Sequence, residues 1–407
     1  MSIIKQTGSS IRKLAAAVLA VSLLLPAAGG AQRVLAEQSS VTAKSVYLKP
    51  DWEKTVRKIE YGAGPEIGTY ANGRVFYKLG QTLTAADVKT GKALWSCAAE
   101  PGAAPIADGS GVYFVDVQGY AYKLNPSTGK RIWKSAASLN GKNGMYSAYN
   151  IGLQSGLLIV GDSGNLSAFD TATGTLKWKT PAGKTYGYRL QEGGGNTVLA
   201  VQVMLDPYLA GSKPKQLYAF DAQTGKRLWS TKSIYQEIVT VQDGYAYAKV
   251  FATEDEEYRL NIDKIDLSNA KAIETFRYIP HEKGYGEEGG SSAAYYDGKF
   301  YISYLIDYQK RQWGLARIPL GAPSGAKPES TLSFPTPIYQ VTPSKDYIAV
   351  ALMTKQVYLI NRQTNKIAAS STFTSNFFNL TLDADTHFLV QTAGKISAIK
   401  KPAPVKE

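Results

Sequence analysis

Short apolar runs closed by an acidic or amide residue recur along the chain. The pattern is clearest at Leu217–Trp229, which reads LYAFDAQTGKRLW. Leu217, Tyr218, Ala219 and Phe220 have the apolar and aromatic character of a short buried strand. Asp221 opens a turn, because its carboxylate can accept hydrogen bonds from the backbone N–H groups just ahead of it. Gly225 supplies a position where positive φ costs little. Lys226 to Trp229 then start a returning strand, so the unit predicts a β-hairpin with its Trp eight residues after the Asp. A lone hairpin cannot bury a Trp, so a second sheet must cover it.

Three further copies are well preserved: Leu83–Trp95 (LTAADVKTGKALW), Ala121–Trp133 (AYKLNPSTGKRIW) and Leu166–Trp178 (LSAFDTATGTLKW). Three eroded copies follow. Ile262–Glu274 keeps Asp266 but lacks the Gly and the Trp, and the segment GLARIPLGAPSG from Gly314 keeps the strand and replaces the turn. Val357–Ala369 carries Asn361, with Asn365 where Gly would stand. Asn is the next residue most tolerant of positive φ, so that exchange is mild. The step between copies is about 45 residues, which suits four strands per repeat.

The remaining strands can be read between the copies. Val112–Val117 precedes AYKLN, Thr197–Val203 precedes LYAFD, and a last strand, Lys395–Lys400, ends without a turn. This leaves eight third strands but only seven fourth strands following them. Asp51–Lys58 (DWEKTVRK), ahead of the first repeat, carries Trp52 at the matching position and is expected to complete the last blade. Such closure removes the free edge where the ring's ends meet. The expected fold is all-β: an eight-bladed β-propeller of four-stranded antiparallel blades, closed by an N-terminal strand. Trp52, Trp95, Trp133, Trp178 and Trp229 are expected to dock each blade on its neighbour; Trp313 does not share the position.

Composition supplies an address. Lys5, Arg12 and Lys13 precede an apolar run over residues 14–25 that ends at Pro26, as in a secretory signal. The expected organisation is a signal peptide over 1–36, cleaved after Ala31 or Ala36, a linker over 37–50, the propeller over 51–400 and a tail over 401–407. The run is short for a span, so no membrane crossing is expected once the signal is removed. The whole chain carries 46 basic and 33 acidic side chains; residues 1–36 hold four basic and no acidic ones, so the remainder keeps a net charge of +9. Basic balance and export point to anionic partners, either an envelope protein or a wall polymer, and export argues against nucleic acid. Cys97 is the single Cys, so no internal disulfide can form, and a buried, inert thiol is expected.

The repeats resemble those of the pyrroloquinoline-quinone-type (PQQ-like) β-propeller family, whose units read close to LYALDAxTGKxLW. The similarity covers about residues 51–400 and is strongest in the first four copies. The resemblance implies that the Trp of each unit packs a blade on its neighbour. It also implies a choice between quinoprotein dehydrogenases and non-catalytic relatives, among them a lipoprotein subunit of the outer-membrane barrel-assembly machinery. Fold alone does not settle that choice. The dehydrogenases resemble one another in a vicinal Cys–Cys disulfide and a Ca²⁺ site. One Cys cannot make the disulfide, and no clustered hard-cation ligands stand out. The expectation is the non-catalytic branch, with no cofactor and no metal.

Other chemistry is sparse. His281 and His387 are the only histidines and are too far apart in sequence to suggest a metal cluster. The match GYGEEG at 284–289 lacks its strand and helix, and Glu287 and Glu288 would repel a phosphate. Every DxxTG turn falls on one face of the ring, and the long variable segments fall on the opposite face. Tyr146, Tyr149, Tyr186, Tyr188, Arg189, Tyr208, Tyr278 and Tyr285 lie in or beside those segments and form the candidate binding face, since exposed Tyr and Arg suit binding. Alternatively, these tyrosines cap the propeller edge. The functional expectation is a secreted, monomeric, non-catalytic binding or scaffold protein at the cell envelope; a carbohydrate-binding propeller is the alternative.

Overall fold

A computed structural model of the chain describes residues 46–56, 67–139, 149–162, 164–181, 186–204, 213–250, 258–280, 293–307, 309–374, 378–392 and 394–403. The chain divides into Met1–Glu37 and Gln38–Glu407. The first unit, including the expected signal peptide, lies outside the described residues, and every described strand belongs to the second.

The described elements are strands, arranged in seven sheets that make eight four-stranded antiparallel blades. The numbers differ because one sheet has seven strands. Its long strand Arg227–Gln242 pairs first with Lys213–Asp221 as the outer strand of blade 4, then with Tyr245–Val250 as the inner strand of blade 5. Blade 1 runs from Ile67–Ala71 to Ala93–Cys97, blade 2 from Ile106–Ala107 to Arg131–Lys134, and blade 3 from Asn150–Gln154 to Leu176–Pro181. Blades 6 and 7 end in the outer strands Ser330–Phe334 and Ile367–Thr372. Blade 8 takes three strands from the C-terminal end and its outer strand, Trp52–Thr55, from the N-terminal end; Trp52 pairs with Ala398 and Lys54 with Ile396. The N-terminal closing strand is therefore where the repeat count puts it.

Alternation along each strand sends apolar side chains to both faces of a blade, and both faces are covered by neighbours. The core is accordingly divided into eight clusters, one in each gap between blades. The gap between blades 8 and 1, for example, holds Trp52, Val75, Tyr77, Ala86, Leu389, Ile396 and Ala398.

The expected linker contributes a strand of its own. Val46–Tyr47 forms a fifth strand, parallel to the outer strand of blade 7, with Val46 opposite Ala369 and Tyr47 opposite Ser370. Leu48 continues it by donating its N–H to the Ser370 carbonyl and packs into the gap between blades 7 and 8. In that blade Ala369 stands where the docking Trp would be, and Leu48 and Phe373 supply apolar surface in its place.

Candidate interaction surface

The repeat unit folds as its chemistry requires. The Asp221 Oδ1 accepts from the Gln223 and Thr224 N–H groups and from the Thr224 hydroxyl, at 3.1, 2.9 and 2.8 Å. These donors hold its carboxyl below the usual carboxylate range, led by the Thr224 hydroxyl. Asp87, Asp170 and Asp266 are depressed in the same way. Asn125 and Asn361 hold the same turn without a charge. At the Gly position φ is +68° in Gly225, +53° in Asn365 and +66° in Ala270, so the eroded repeats keep the turn conformation with other residues.

The five docking tryptophans share one geometry. Each ring nitrogen donates to the carbonyl of the residue after the turn Asp or Asn in the next blade. The pairs are Trp52 with Val88 (2.7 Å), Trp95 with Pro126 (3.0 Å), Trp133 with Thr171 (3.0 Å), Trp178 with Ala222 (2.8 Å) and Trp229 with Leu267 (2.8 Å). Four of the rings lie against the turn Gly of that blade so closely that a Cβ on Gly91, Gly129, Gly174 or Gly225 would collide with them. The three joints without Trp use other donors. The Tyr278 hydroxyl donates to the Ala322 carbonyl (2.7 Å), the Arg317 guanidinium to the Arg362 carbonyl (2.9 Å), and the Tyr347 hydroxyl to the Ala403 carbonyl (3.1 Å). Every joint thus has a side-chain donor to a backbone carbonyl of the next blade's turn or of the C-terminal tail.

The candidate tyrosine face is redistributed by the structure. Tyr146, Tyr208 and Tyr285 lie outside the described residues, as does the side chain of Tyr186. Tyr149, Tyr188 and Tyr278 are corrected from binding face to core. Tyr149 packs between blades 2 and 3. Tyr188 is edge-on to Tyr218 and Phe220, and burial pushes its phenol up to about 12. Tyr278 is fully buried at the joint between blades 5 and 6. For Tyr188 and Tyr278 the reason is length of strand: Tyr186–Gly194 and Ala272–Pro280 extend into segments expected to be loops. Arg189 alone of the described candidates is exposed, and it donates to the Gln236 carbonyl of the next blade.

His387 and Cys97 have structural surroundings. His281 is outside the described residues. His387 is buried, with Nε2 3.0 Å from Asp51 Oδ2 and Nδ1 2.9 Å from the Thr386 hydroxyl, so it braces the closing strand. Cys97 is half-buried on the outermost strand of blade 1, away from the inner strands, and burial pushes its thiol up. A lone sulfur at the rim does not fit the disulfide on which the family's dehydrogenases seat their quinone. Among the described residues no group of three or more His, Cys, Asp or Glu could hold a metal ion.

What the structure brings together, and motif reading missed, is the outer rim of blades 1 to 4. Their outer strands are Ala93–Cys97, Arg131–Lys134, Leu176–Pro181 and the first half of Arg227–Gln242. Arg131, Lys134, Lys177, Lys179, Arg227 and Lys232 stand exposed there, and these strands contain no Asp or Glu. Among them sit unusually exposed apolar side chains: Leu94 (46%), Ile132 (50%), Leu176 (43%) and Leu228 (49%). The signal was available in the repeat. Residues on either side of the docking Trp alternate to the opposite face, and in these copies they are mostly Lys, Leu or Ile.

The family model described as outer membrane protein assembly factor BamB matches residues 38–256. Among solved structures the chain is similar to BamB from Moraxella catarrhalis, at 14% identity and a TM-score of 0.57, covering 88% of this chain and 100% of that one. It is similar to the computationally designed Ika8 protein at 13% identity and a TM-score of 0.58, covering 86% and 100%. It also resembles quinohemoprotein alcohol dehydrogenase from Comamonas testosteroni at 13% identity and a TM-score of 0.53, covering 88% and 78%. At these identities the likeness is one of fold. No curated protein matches the chain significantly.

Proposed function

Because the chain belongs to the family of outer membrane protein assembly factor BamB, we propose that it is a non-catalytic scaffold of the cell envelope that holds a partner protein against its propeller. The BamB-like propeller fold suits protein binding, and the observation that carries the reading here is the basic, apolar-studded rim of blades 2 to 4. Strand edges that no described strand covers, exposed Leu and Ile, and positive charge without an acidic neighbour along the edge are what a protein–protein contact uses for hydrogen bonding, burial and steering.

The basic and apolar N-terminal run supports export, and the charge supports an anionic partner once there. The lone Cys97 supports the non-catalytic branch. A sugar-binding role is less well supported, since Tyr188, one of the tyrosines of the candidate binding face, is a core residue.

The test is affinity capture of envelope proteins on the immobilised intact chain at low ionic strength, with mass spectrometry of the eluate. One protein retained in near-stoichiometric amount, and released as salt rises, is the expected result, because salt screens exposed charges over about 10 Å at 0.1 M. Retention of wall polymer alone, or turnover of an alcohol or sugar by the purified chain, would overturn the reading.

A further inference from the structure

The outer edges of the eight blades are not equivalent. Blade 7 has its edge filled, because Val46 and Tyr47 pair in parallel with Ala369 and Ser370. Blade 8 has the closing strand as its edge, and that strand carries Glu53 with Asp51 just ahead of it. The edge of blade 5 exposes Glu274. Blades 1 to 4 end in strands that no described strand covers and that hold no acidic side chain where they form the edge.

On these edges the two residues flanking the docking Trp share the face opposite it. Around Trp133 they are Ile132 and Lys134, and around Trp178 they are Lys177 and Lys179. An edge strand is a template for another strand, and lysines there keep like-charged edges apart. Two copies of this chain would therefore repel at these edges. The same lysines attract an extended segment of opposite charge, and the exposed Ile132 and Leu228 offer apolar contact to alternate side chains of that segment. The chain itself demonstrates the geometry at blade 7, where its own residues form the added strand.

We propose that the outer edges of blades 2 to 4 receive an extended segment of a partner protein by β-strand addition, the segment alternating acidic and apolar side chains. This deepens the scaffold reading and rests on it. Backbone hydrogen bonds to the edge supply the affinity; the lysines select the charge and the exposed Leu and Ile select the apolar alternation. Blades 2, 3 and 4 each present basic side chains on this edge, so a partner with several such segments gains by avidity.

The proposal is tested with the intact chain and labelled peptides of alternating Glu and Val, fully N-methylated peptides of the same sequence, and peptides of alternating Lys and Val. Binding of the Glu/Val peptide is expected to weaken at least about tenfold on N-methylation and again with Lys177→Glu together with Lys179→Glu. The Lys/Val peptide should not bind. Hydrogen exchange should slow at the outer-edge amides of at least one of blades 2 to 4 when the Glu/Val peptide is added. Equal binding of the N-methylated peptide would mean attraction by charge alone and overturns the proposal. So does protection confined to the opposite-face connections. Capture of a protein partner unaffected by the double charge reversal overturns the edge assignment and leaves the scaffold reading standing. If the unaltered chain captures no protein partner, the scaffold reading fails first.

Discussion

Trp52 and Val88 are joined across the seam of the ring: the indole N–H donates to the Val88 carbonyl at 2.7 Å, and the ring lies on Gly91. One residue belongs to the outer strand of the last blade and the other to the turn of the first. The seam is therefore built from the same contact that joins blades 1 to 5. Trp52→Ala should destabilise the protein by about 3–5 kcal/mol, the range for truncating a buried aromatic. Trp52→Phe, which keeps an aromatic ring but leaves the Val88 carbonyl without its donor, should lose about 1–3 kcal/mol. Urea unfolding of both variants checks this, and a Trp52→Ala midpoint equal to that of the native chain would show that the seam does not depend on the contact.

Gly91 and Ala270 occupy the same turn position and should respond to substitution with opposite signs. A Cβ at Gly91 would meet Trp52 Cδ2 at 2.6 Å, and φ there is +65°. Gly91→Ala should therefore cost about 2–4 kcal/mol, from crowding and left-handed strain together. Ala270 already sits at φ +66°, and Ala270→Gly should stabilise by about 0.5–1 kcal/mol as the strain relieved exceeds the added chain entropy. Thermal melts of the two variants should move in opposite directions.

The joints without Trp should be sensitive at single polar atoms. Tyr278→Phe removes the donor to the Ala322 carbonyl, and both groups are inside the joint. The expected loss is about 1–3 kcal/mol, because the carbonyl is left without its partner. Arg317→Lys keeps the charge near Glu329 but not the planar donor to the Arg362 carbonyl, and should cost about 1–2 kcal/mol. Denaturation midpoints that match the native protein in both cases would rule out these donors as substitutes for the indole.

Acid should weaken the turns in a defined window. Asp87, Asp170, Asp221 and Asp266 have carboxyls held below their usual range, by the Thr90, Thr224 and Ser268 hydroxyls at three of them and by the Thr173 backbone N–H at Asp170. A depressed folded-state pKa gives stability that is present above the unfolded value and lost as pH falls through the lower folded value. Stability should thus hold down to about pH 5 and decline below about pH 4. Replacing all four by Asn should flatten that decline, since Asn125 and Asn361 make the same turn uncharged. The measurement is midpoint against pH; an unchanged acid limb in the fourfold variant would assign the loss to other carboxylates.

Much of this protein is legible in its residue order, and the reason is locality. The Asp-to-Gly turn, the apolar strand before it and the Trp eight residues after it lie within one repeat unit, so LYAFDAQTGKRLW states its own hairpin. Repetition then counts the blades, and the surplus Trp52 ahead of the first repeat discloses how the ring closes. Fold, blade number, closing strand and the five docking positions follow from those facts.

Tertiary structure decided what depends on partners distant in sequence. Tyr188 and Tyr278 stand beside Gly- and Lys-rich segments, yet their strands run on far enough to place both rings in the gaps between blades. The donors at the three eroded joints come from different strands with no shared spacing: Tyr278 from an outer strand, Arg317 from a third strand, Tyr347 from a second. The repeat hints at the flanking Lys, Leu and Ile, but the basic rim takes its form from three separate outer strands, those of blades 2 to 4. Each of these rests on which surface faces which neighbour, and a repeat pattern specifies the neighbour only after the ring has closed.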